Sequence, residues 1–164
     1  MILTYDQRRL AQQKLESCIH KAQTHFNCHF NMPLLAFNQR GKIAGTAHLQ
    51  RNLIKLNAVL MADNMDTFLQ EVIPHETAHI VVYQKFGRVK PHGIEWQSVM
   101  RDAFDSQPEV RHSMDVSKTQ GQIFQYKCGC GPVMLSVRRH NKVVRGKQTY
   151  MCRNCQQALT AIQN

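Results

Sequence analysis

The segment Val72–Val82 constrains the chain more than any other, because it places two histidines and a glutamate inside an otherwise apolar run. The spacing is His-Glu-x-x-His, so on a helix the rings of His75 and His79 leave the same face one turn apart and can share one metal ion. Glu76 follows the first ligand and can accept a proton from water, whose pKa a zinc ion lowers to about 7. The pattern predicts a zinc hydrolase centre with Glu76 as its base.

The residues around this motif favour a metal over the alternatives, a chance match or a hydrogen-bonded cluster in the core. They make the helix apolar on most sides: Phe68, Leu69, Val72, Ile73, Ala78, Ile80, Val81 and Val82. An unpaired polar group buried there costs roughly 1–3 kcal/mol, so the histidines need a partner. A shared zinc ion satisfies them with the fewest other groups.

A catalytic zinc usually takes three protein ligands and keeps one position for water, so a third ligand is expected. His92 is the first candidate, because Gly87 is typical of the end of a helix and Pro91 of the turn that follows. A chain that leaves one helix at Gly87 and soon enters another brings His92 back across the first. Glu95 and His112 are the alternatives.

The rest of the first 110 residues predicts an α+β fold. Apolar residues at helical spacing indicate an amphipathic helix over residues 4–26, and a turn at residues 40–42 indicates a hairpin of strands at 34–37 and 43–47. A third strand is expected at residues 53–56, and Asn64 or Asp66 is expected to cap the metal-bearing helix. A second active-site helix is expected at residues 94–104. We therefore expect a small antiparallel sheet packed against these helices.

Pro74 leaves two arrangements open for the metal-bearing helix, because proline removes one backbone hydrogen bond. Either the helix bends immediately before His75, or a short element gives way to a new helix that holds Pro74 in its first turn. Both arrangements keep His75 and His79 on one face. Further along, Tyr83 and Arg88 are candidates to stabilise the developing oxyanion.

The C-terminal part of the chain predicts a second metal site. Four of the six cysteines form two pairs, Cys128 with Cys130 and Cys152 with Cys155. Such pairs are typical of a zinc ribbon, here with strands expected at residues 133–137 and 148–150. Only one residue separates the first two cysteines, so His140 is an alternative to Cys130 as the fourth ligand.

Charge is unevenly distributed along the chain. Residues 1–115 contain 13 Lys/Arg and 11 Asp/Glu, whereas residues 116–164 contain eight Lys/Arg and no acidic residue. A compact basic stretch suited to phosphates consists of Arg138, Arg139, Lys142, Arg145 and Lys147. Nucleic acid, DNA in particular, is the predicted partner, and a solvated surface kept soluble by its charge is the alternative.

Localisation and domain boundaries are expected as follows. No apolar run approaches the ~18 residues of a membrane span, and Met1–Asp6 lacks a secretory apolar region, so we expect a cytoplasmic protein without a membrane partner. The polar segment 111–122 is expected to link a domain at residues 1–110 to a basic zinc ribbon at residues 123–164.

Several short stretches occur in the same order as in a known family. They are Gly41–Gly45, Ile54–Asn57, the His-Glu-x-x-His helix, Phe86–Gly93 with Trp96, and Val137–Gly146. Together they resemble the bacterial SprT family over roughly residues 30 to 158. The resemblance implies a zincin-like metallopeptidase domain followed by a zinc ribbon, with His75, His79 and His92 as ligands and Glu76 as the catalytic base. It also implies kinship with the eukaryotic Spartan proteases, which degrade proteins crosslinked to DNA.

Three functions are therefore compatible with the sequence. The first is a zinc-dependent endopeptidase with one catalytic and one structural zinc, which a basic ribbon brings to DNA-bound protein substrates. The second is a nucleic-acid-binding or regulatory protein whose histidine site is catalytically silent. The third is a metallohydrolase that acts on something other than a peptide.

Overall fold

A computed structural model describes residues 3–110 and 121–162. The chain divides into two compact units, Met1–Thr119 and Gln120–Asn164. The linker expected over residues 111–122 lies outside the described residues except for its last two. Within the described part of the chain, no helix has the length and apolarity needed to cross a membrane.

Helix α1, Tyr5–Phe26, is the long N-terminal helix that the apolar spacing predicts. It begins with a capping box, in which the Gln7 backbone donates to Thr4 Oγ1 at 3.2 Å and the Thr4 backbone donates to Gln7 Oε1 at 2.9 Å. It ends where Asn27 turns left-handed at φ 47°. The face that it buries consists of Ala11, Leu15, Cys18, Ile19 and Ala22, so the predicted helix is confirmed.

The sheet of the first unit has three short strands: β1 Leu34–Ala36, β2 Gly45–His48 and β3 Leu53–Leu56. β3 lies in the centre, parallel to β1 and antiparallel to β2. The predicted strand at 53–56 is confirmed, but the predicted hairpin is wrong and the sheet is mixed rather than antiparallel. Ile54 and Leu56 are fully buried, so β3 takes the central position. Segment 37–44 is long enough to cross the two strand spacings, about 10 Å.

The metal-bearing helix is built from several consecutive segments. After α2, Ala58–Asp63, come α3, Met65–Thr67, the π-helical turn Phe68–Val72, and α4, Ile73–Phe86. Of the two predicted capping residues, Asn64 precedes this run, but its side chain donates to the Leu60 carbonyl at 2.8 Å and does not cap it.

Pro74 lies in the first turn of α4, as in the second of the two predicted arrangements. The element before it is a π-helical turn that passes into α4 without a break, since Val72 keeps helical backbone angles. Hydrogen bonds in a π-turn reach five residues back, which is compatible with a missing N–H group at this junction. Thr77 Oγ1 also donates to the Ile73 carbonyl at 2.6 Å.

The helix predicted at residues 94–104 is confirmed. α5 spans Ile94–Ser98 and continues as the π-helical turn Val99–Ala103. Trp96, Val99 and Met100 are buried against the core formed with α1, α4 and the sheet.

The second unit is a small sheet with one helix. Strands β4, Ile123–Cys128, and β5, Gly131–Ser136, form an antiparallel hairpin, and helix α6 spans Val137–Val144. The short β6, Thr160–Ala161, pairs with β4. The strand predicted at 148–150 is wrong, because the chain after β5 turns into α6, and the described residues that follow α6 form an isolated bridge between Met151 and Ala158 rather than a strand at 148–150.

Candidate metal centres

Three histidines of the first unit point their Nε2 atoms at one another. α4 supplies His75 and His79 one turn apart, and the loop after it supplies His92. His92 Nε2 lies 3.0 Å from His75 Nε2 and 3.0 Å from His79 Nε2. The structure therefore brings together the three histidines that the sequence proposes as ligands.

This geometry suits a metal ion better than hydrogen bonds. A neutral imidazole nitrogen either donates or accepts, so His92 Nε2 cannot form a good hydrogen bond with both other rings. Ligands placed tetrahedrally around zinc at about 2.05 Å are about 3.3 Å apart, close to what is observed. Burial lowers the pKa of His79 to about 4, with a smaller contribution from His92, and burial also lowers the pKa of His92. Both imidazoles are thus held in the neutral, ligating form.

Local backbone geometry turns His92 towards α4. Its φ of 55° is left-handed, and the Gly93 backbone donates to the Lys90 carbonyl at 3.0 Å to close the turn. Gln97 Nε2 fixes the same loop by donating to the His92 carbonyl at 3.0 Å. Of the alternative ligands, Glu95 does not belong to the histidine cluster, and His112 lies outside the described residues.

Trp96 packs against all three histidines, a contact that the sequence does not predict. Its ring centroid lies 4.8, 5.6 and 4.7 Å from those of the three metal-site histidines, His75, His79 and His92. Its indole N–H donates to the His75 carbonyl at 3.3 Å, and His75 Nδ1 lies 3.3 Å from the Glu109 carbonyl oxygen. Contacts of this kind orient metal ligands, so Trp96 packs against the three imidazole rings and restricts their orientation.

Glu76 is buried beside strand β2. Loss of solvent raises the pKa of its carboxyl group to about 7, and a hydrogen bond from the Ala47 backbone opposes the shift. The approach of β2 requires Gly45, where a Cβ atom would lie 3.0 Å from Glu76 Cγ and 3.0 Å from Val72 Cγ1. This role of Gly45 is not predicted above, although a glycine inside a strand often marks such a close approach.

A cavity of about 440 Å³ opens next to the histidines, with His79 and His92 in its wall. Tyr83 and Arg88, the oxyanion candidates, also line it. The structure therefore places both side chains near the histidines, which keeps them as candidates for that role.

The four paired cysteines of the second unit form the other cluster. Their sulfur atoms all lie within 4.8 Å of one another, with Cys130 Sγ 3.3 Å from Cys128 Sγ and 3.5 Å from Cys152 Sγ. Tetrahedral zinc thiolates have sulfurs about 3.8 Å apart, so the cluster fits a zinc ion. Cys130 is part of it despite its short spacing. The alternative ligand, His140, instead lies 3.0 Å from Tyr126 Oη and stacks on Phe124.

Backbone N–H groups prepare the second cysteine pair for ligation. Hydrogen bonds from the backbone of Cys155 and Asn154 lower the pKa of the Cys152 thiol to about 6, which favours the thiolate. In the first pair, Gly129 donates to Gln157 Oε1 at 2.7 Å, and a Cβ atom there would collide with the same side chain. A side chain at this position would therefore displace the end of Gln157 from the turn.

The predicted nucleic-acid residues lie on α6 and immediately after it. All five are exposed: Arg138, Arg139, Lys142, Arg145 and Lys147. The Arg139 guanidinium lies 5.5 Å from the centre of the Tyr150 ring. The helix thus presents a basic surface with an aromatic side chain next to it.

The fold and its clusters define an α+β protein with a three-histidine and a four-cysteine candidate metal site. The sequence model of the SprT-like family matches residues 15–117, and that of the SprT-like zinc ribbon domain matches residues 122–163. This chain belongs to the SprT-like family, and the resemblance seen in its motifs is confirmed.

Its relatives match over most of their length. Protein SprT of Pasteurella multocida (strain Pm70) is 50% identical over 147 residues, which are 90% of this chain and 89% of the relative. Protein SprT of Vibrio atlanticus (strain LGP32) is 46% identical over 153 residues, 93% of this chain and 92% of the relative. No solved structure matches the chain.

Proposed function

We propose that this chain is a zinc-dependent metallopeptidase of the zincin type, which cleaves proteins bound or crosslinked to DNA in the cytoplasm. The observation that carries the proposal is the convergence of three histidine Nε2 atoms, at 3.0 Å, next to a buried glutamate. His75, His79 and His92 would hold the catalytic zinc, and the four cysteines would hold a structural one.

The chemistry is divided between the ion and the chain. When bound, zinc polarises a carbonyl group and lowers the pKa of water to about 7. Glu76 takes the proton from the attacking water and passes it to the nitrogen of the leaving amine. The backbone N–H of Ala47 orients the carboxylate for both transfers. Trp96 and the Glu109 carbonyl keep the imidazole rings in place.

Strand β2 supports a peptide as the substrate. Among the described strands it pairs only with β3, so its other edge offers backbone groups to an extended peptide. The same strand contacts Glu76 through Gly45 and Ala47. A peptide added along this edge would pass directly beside the catalytic base.

The Glu76→Gln variant tests the catalytic role. We expect it to bind as much zinc as the wild type and to lose cleavage of DNA-bound protein, because the amide cannot accept the proton. As controls, His75→Ala and Cys152→Ser should each lower the zinc content from two ions per chain to one. Continued cleavage by Glu76→Gln would remove this residue from the mechanism.

The basic surface of α6 supports nucleic acid as the partner that recruits the enzyme. Each arginine that neutralises a phosphate of duplex DNA contributes about 0.9 to the slope of log K against log salt. We therefore expect Arg138→Ala and Arg139→Ala each to weaken binding and to lower that slope by about this amount. The matched control is Arg40→Ala, in the first unit. An unchanged slope in both α6 variants would contradict DNA binding by this helix.

A second candidate is a nucleic-acid-binding or regulatory protein with a silent histidine site, which the basic ribbon also supports. This candidate predicts salt-sensitive DNA binding by the zinc-loaded wild type, with no cleavage of protein substrates with or without DNA. A hydrolase acting on another class of substrate would instead turn over non-peptide esters or amides, and Glu76→Gln would abolish that activity.

A further inference from the structure

The cavity beside the histidines has a definite position relative to the proposed chemistry. It lies between the turn Leu49–Arg51, the C-terminal part of α4 and the loop that carries His92. His79 and His92 form part of its wall. A group that fills this cavity therefore lies next to the proposed reacting carbonyl.

The charge of this cavity has a single sign. Arg51, Arg88 and Lys90 line it, all three side chains are exposed, and no acidic residue is among the lining residues. In the part of the chain that the structure describes, none of the three forms an ion pair. This concentration of cations stands out, because residues 1–115 carry 13 basic and 11 acidic residues in all. The cavity is therefore complementary to an anion.

The walls of the cavity are partly apolar, and a second cavity adjoins it. Leu49, Val89 and Pro91, which are partly or fully exposed, supply apolar surface beside the cations. A second cavity, of about 540 Å³, shares Tyr83 and Arg88 with the first and extends it. Such a cleft suits an extended peptide whose methylene groups contact the walls while a carboxylate meets the arginines. A single-stranded nucleic acid also carries apolar surface, but its bases need exposed aromatic rings to stack on, and Trp96 in this cleft is buried.

We propose that this basic pocket, formed by the residues around Arg51, Arg88 and Lys90, binds a peptide carboxylate immediately beside the scissile bond. It gives the enzyme a preference for acidic sequences. The inference rests on the proposed peptidase function and specifies its substrate. The carboxylate belongs either to a Glu or Asp side chain within the substrate or to the C-terminus of a peptide.

Binding to the zinc-loaded Glu76→Gln variant tests the pocket without turnover. Trp96 is the only tryptophan of the chain and lines the pocket, so its fluorescence reports occupancy. The probes are amidated peptides that differ only in one central Glu, Gln or Lys, and the Gln peptide with a free C-terminal carboxylate. We expect the Glu peptide to bind about fivefold more tightly than its Gln counterpart, the upper range for an exposed ion pair. Tighter binding of only the free-carboxylate peptide would assign the pocket to C-termini.

Charge reversal separates a direct contact from a structural effect. Arg88→Glu, and independently Arg51→Glu, in the same Glu76→Gln background should shift the preference from the Glu peptide to the Lys peptide. The control is Arg101→Glu, an exposed arginine outside the pocket, which should keep the original order. Thermal unfolding of each variant verifies that it folds.

Three results would overturn the proposal. The first is equal binding of all peptides, and the second is an unchanged order of affinities in both reversed variants. In the third, a short single-stranded oligonucleotide displaces the Glu peptide from the Arg101→Glu control but not from Arg88→Glu. The third would assign the pocket to nucleic acid. Failure of the wild type to cleave protein would refute the peptidase function, while the binding order would still test the pocket by itself.

Discussion

Gly45→Ala tests whether the close approach of β2 to α4 positions the catalytic glutamate. A Cβ atom at this position would lie 3.0 Å from Glu76 Cγ, 3.0 Å from Val72 Cγ1 and 3.3 Å from Leu56 Cδ2. Carbon atoms in contact are normally 3.5–4.0 Å apart, so about half an ångström of movement is required. Because Leu56 and Val72 are fully buried, the movement falls mainly on Glu76 and the edge strand.

The expected size of the effect follows from these contacts. Overpacking by one methyl group typically costs about 1–3 kcal/mol, and the lower entropy of the unfolded alanine chain offsets about 0.4–1 kcal/mol of that cost. We expect a net loss of about 1–2 kcal/mol, or about 5–10 °C in the melting temperature of a unit of this size. Zinc content should be unchanged, whereas cleavage should fall at least about tenfold because the carboxylate is displaced.

The measurements are thermal unfolding, zinc content and the cleavage rate of the same preparations. Gly121→Ala is the matched control, since its added Cβ meets nothing within 4 Å, and it should change stability by less than about 0.5 kcal/mol. Val72→Ala relieves one of the two shortest contacts. The double variant Gly45→Ala/Val72→Ala should therefore lose less stability than the sum of the losses in the two single variants. A Gly45→Ala protein with wild-type stability and cleavage would refute the positioning argument.

Further predictions concern the remaining features of the two units. Trp96→Phe removes the hydrogen bond to the His75 carbonyl and part of the ring surface that packs against the histidines. It should weaken zinc binding at the histidine site about tenfold, measured by competition with a chelator. Unchanged zinc affinity would contradict the role of Trp96. Thr4→Ala removes the capping box and should lower the free energy of unfolding by about 1 kcal/mol in urea, whereas Thr4→Ser should retain most of it. Cys130→Ser should lower the zinc content by one ion and leave cleavage of a DNA-free peptide unchanged, and retention of both ions would exclude Cys130 as a ligand.

Features set by short-range rules could be predicted from the sequence. The spacing of apolar residues predicts α1, and the apolar segment that contains Ile54 and Leu56 predicts β3. The four-residue spacing of His75 and His79 places both rings on one face of whatever helix forms. These features depend on neighbours a few residues apart, which the sequence displays directly.

Features set by pairing between distant segments could not be predicted. The turn at residues 40–42 indicates a hairpin, but competition for the central position of the sheet, which β3 occupies, decided the strand order. The contact of Trp96 with the histidine rings depends on how α5 packs against α4, which no local pattern reveals. Likewise, Arg51 and Arg88 are far apart in the sequence, and only the fold brings them to one cavity.

The π-helical turn Phe68–Val72 has a consequence for any change in the length of this helix. Consecutive residues of an α-helix differ in direction by about 100°, since a turn contains 3.6 residues. The wide turn takes up one residue more than an α-helical turn, so deleting one residue there would convert it to an ordinary turn and leave the side chains before it facing as they do now. Deleting one residue of α4 before His75 would instead rotate the preceding side chains by about 100°, and Phe68, now fully buried, would leave the interior while the interval between the two α4 histidines stayed intact. The π-helical turn is therefore the place in this helix where a one-residue deletion would keep the coordination motif joined to the interior that supports it.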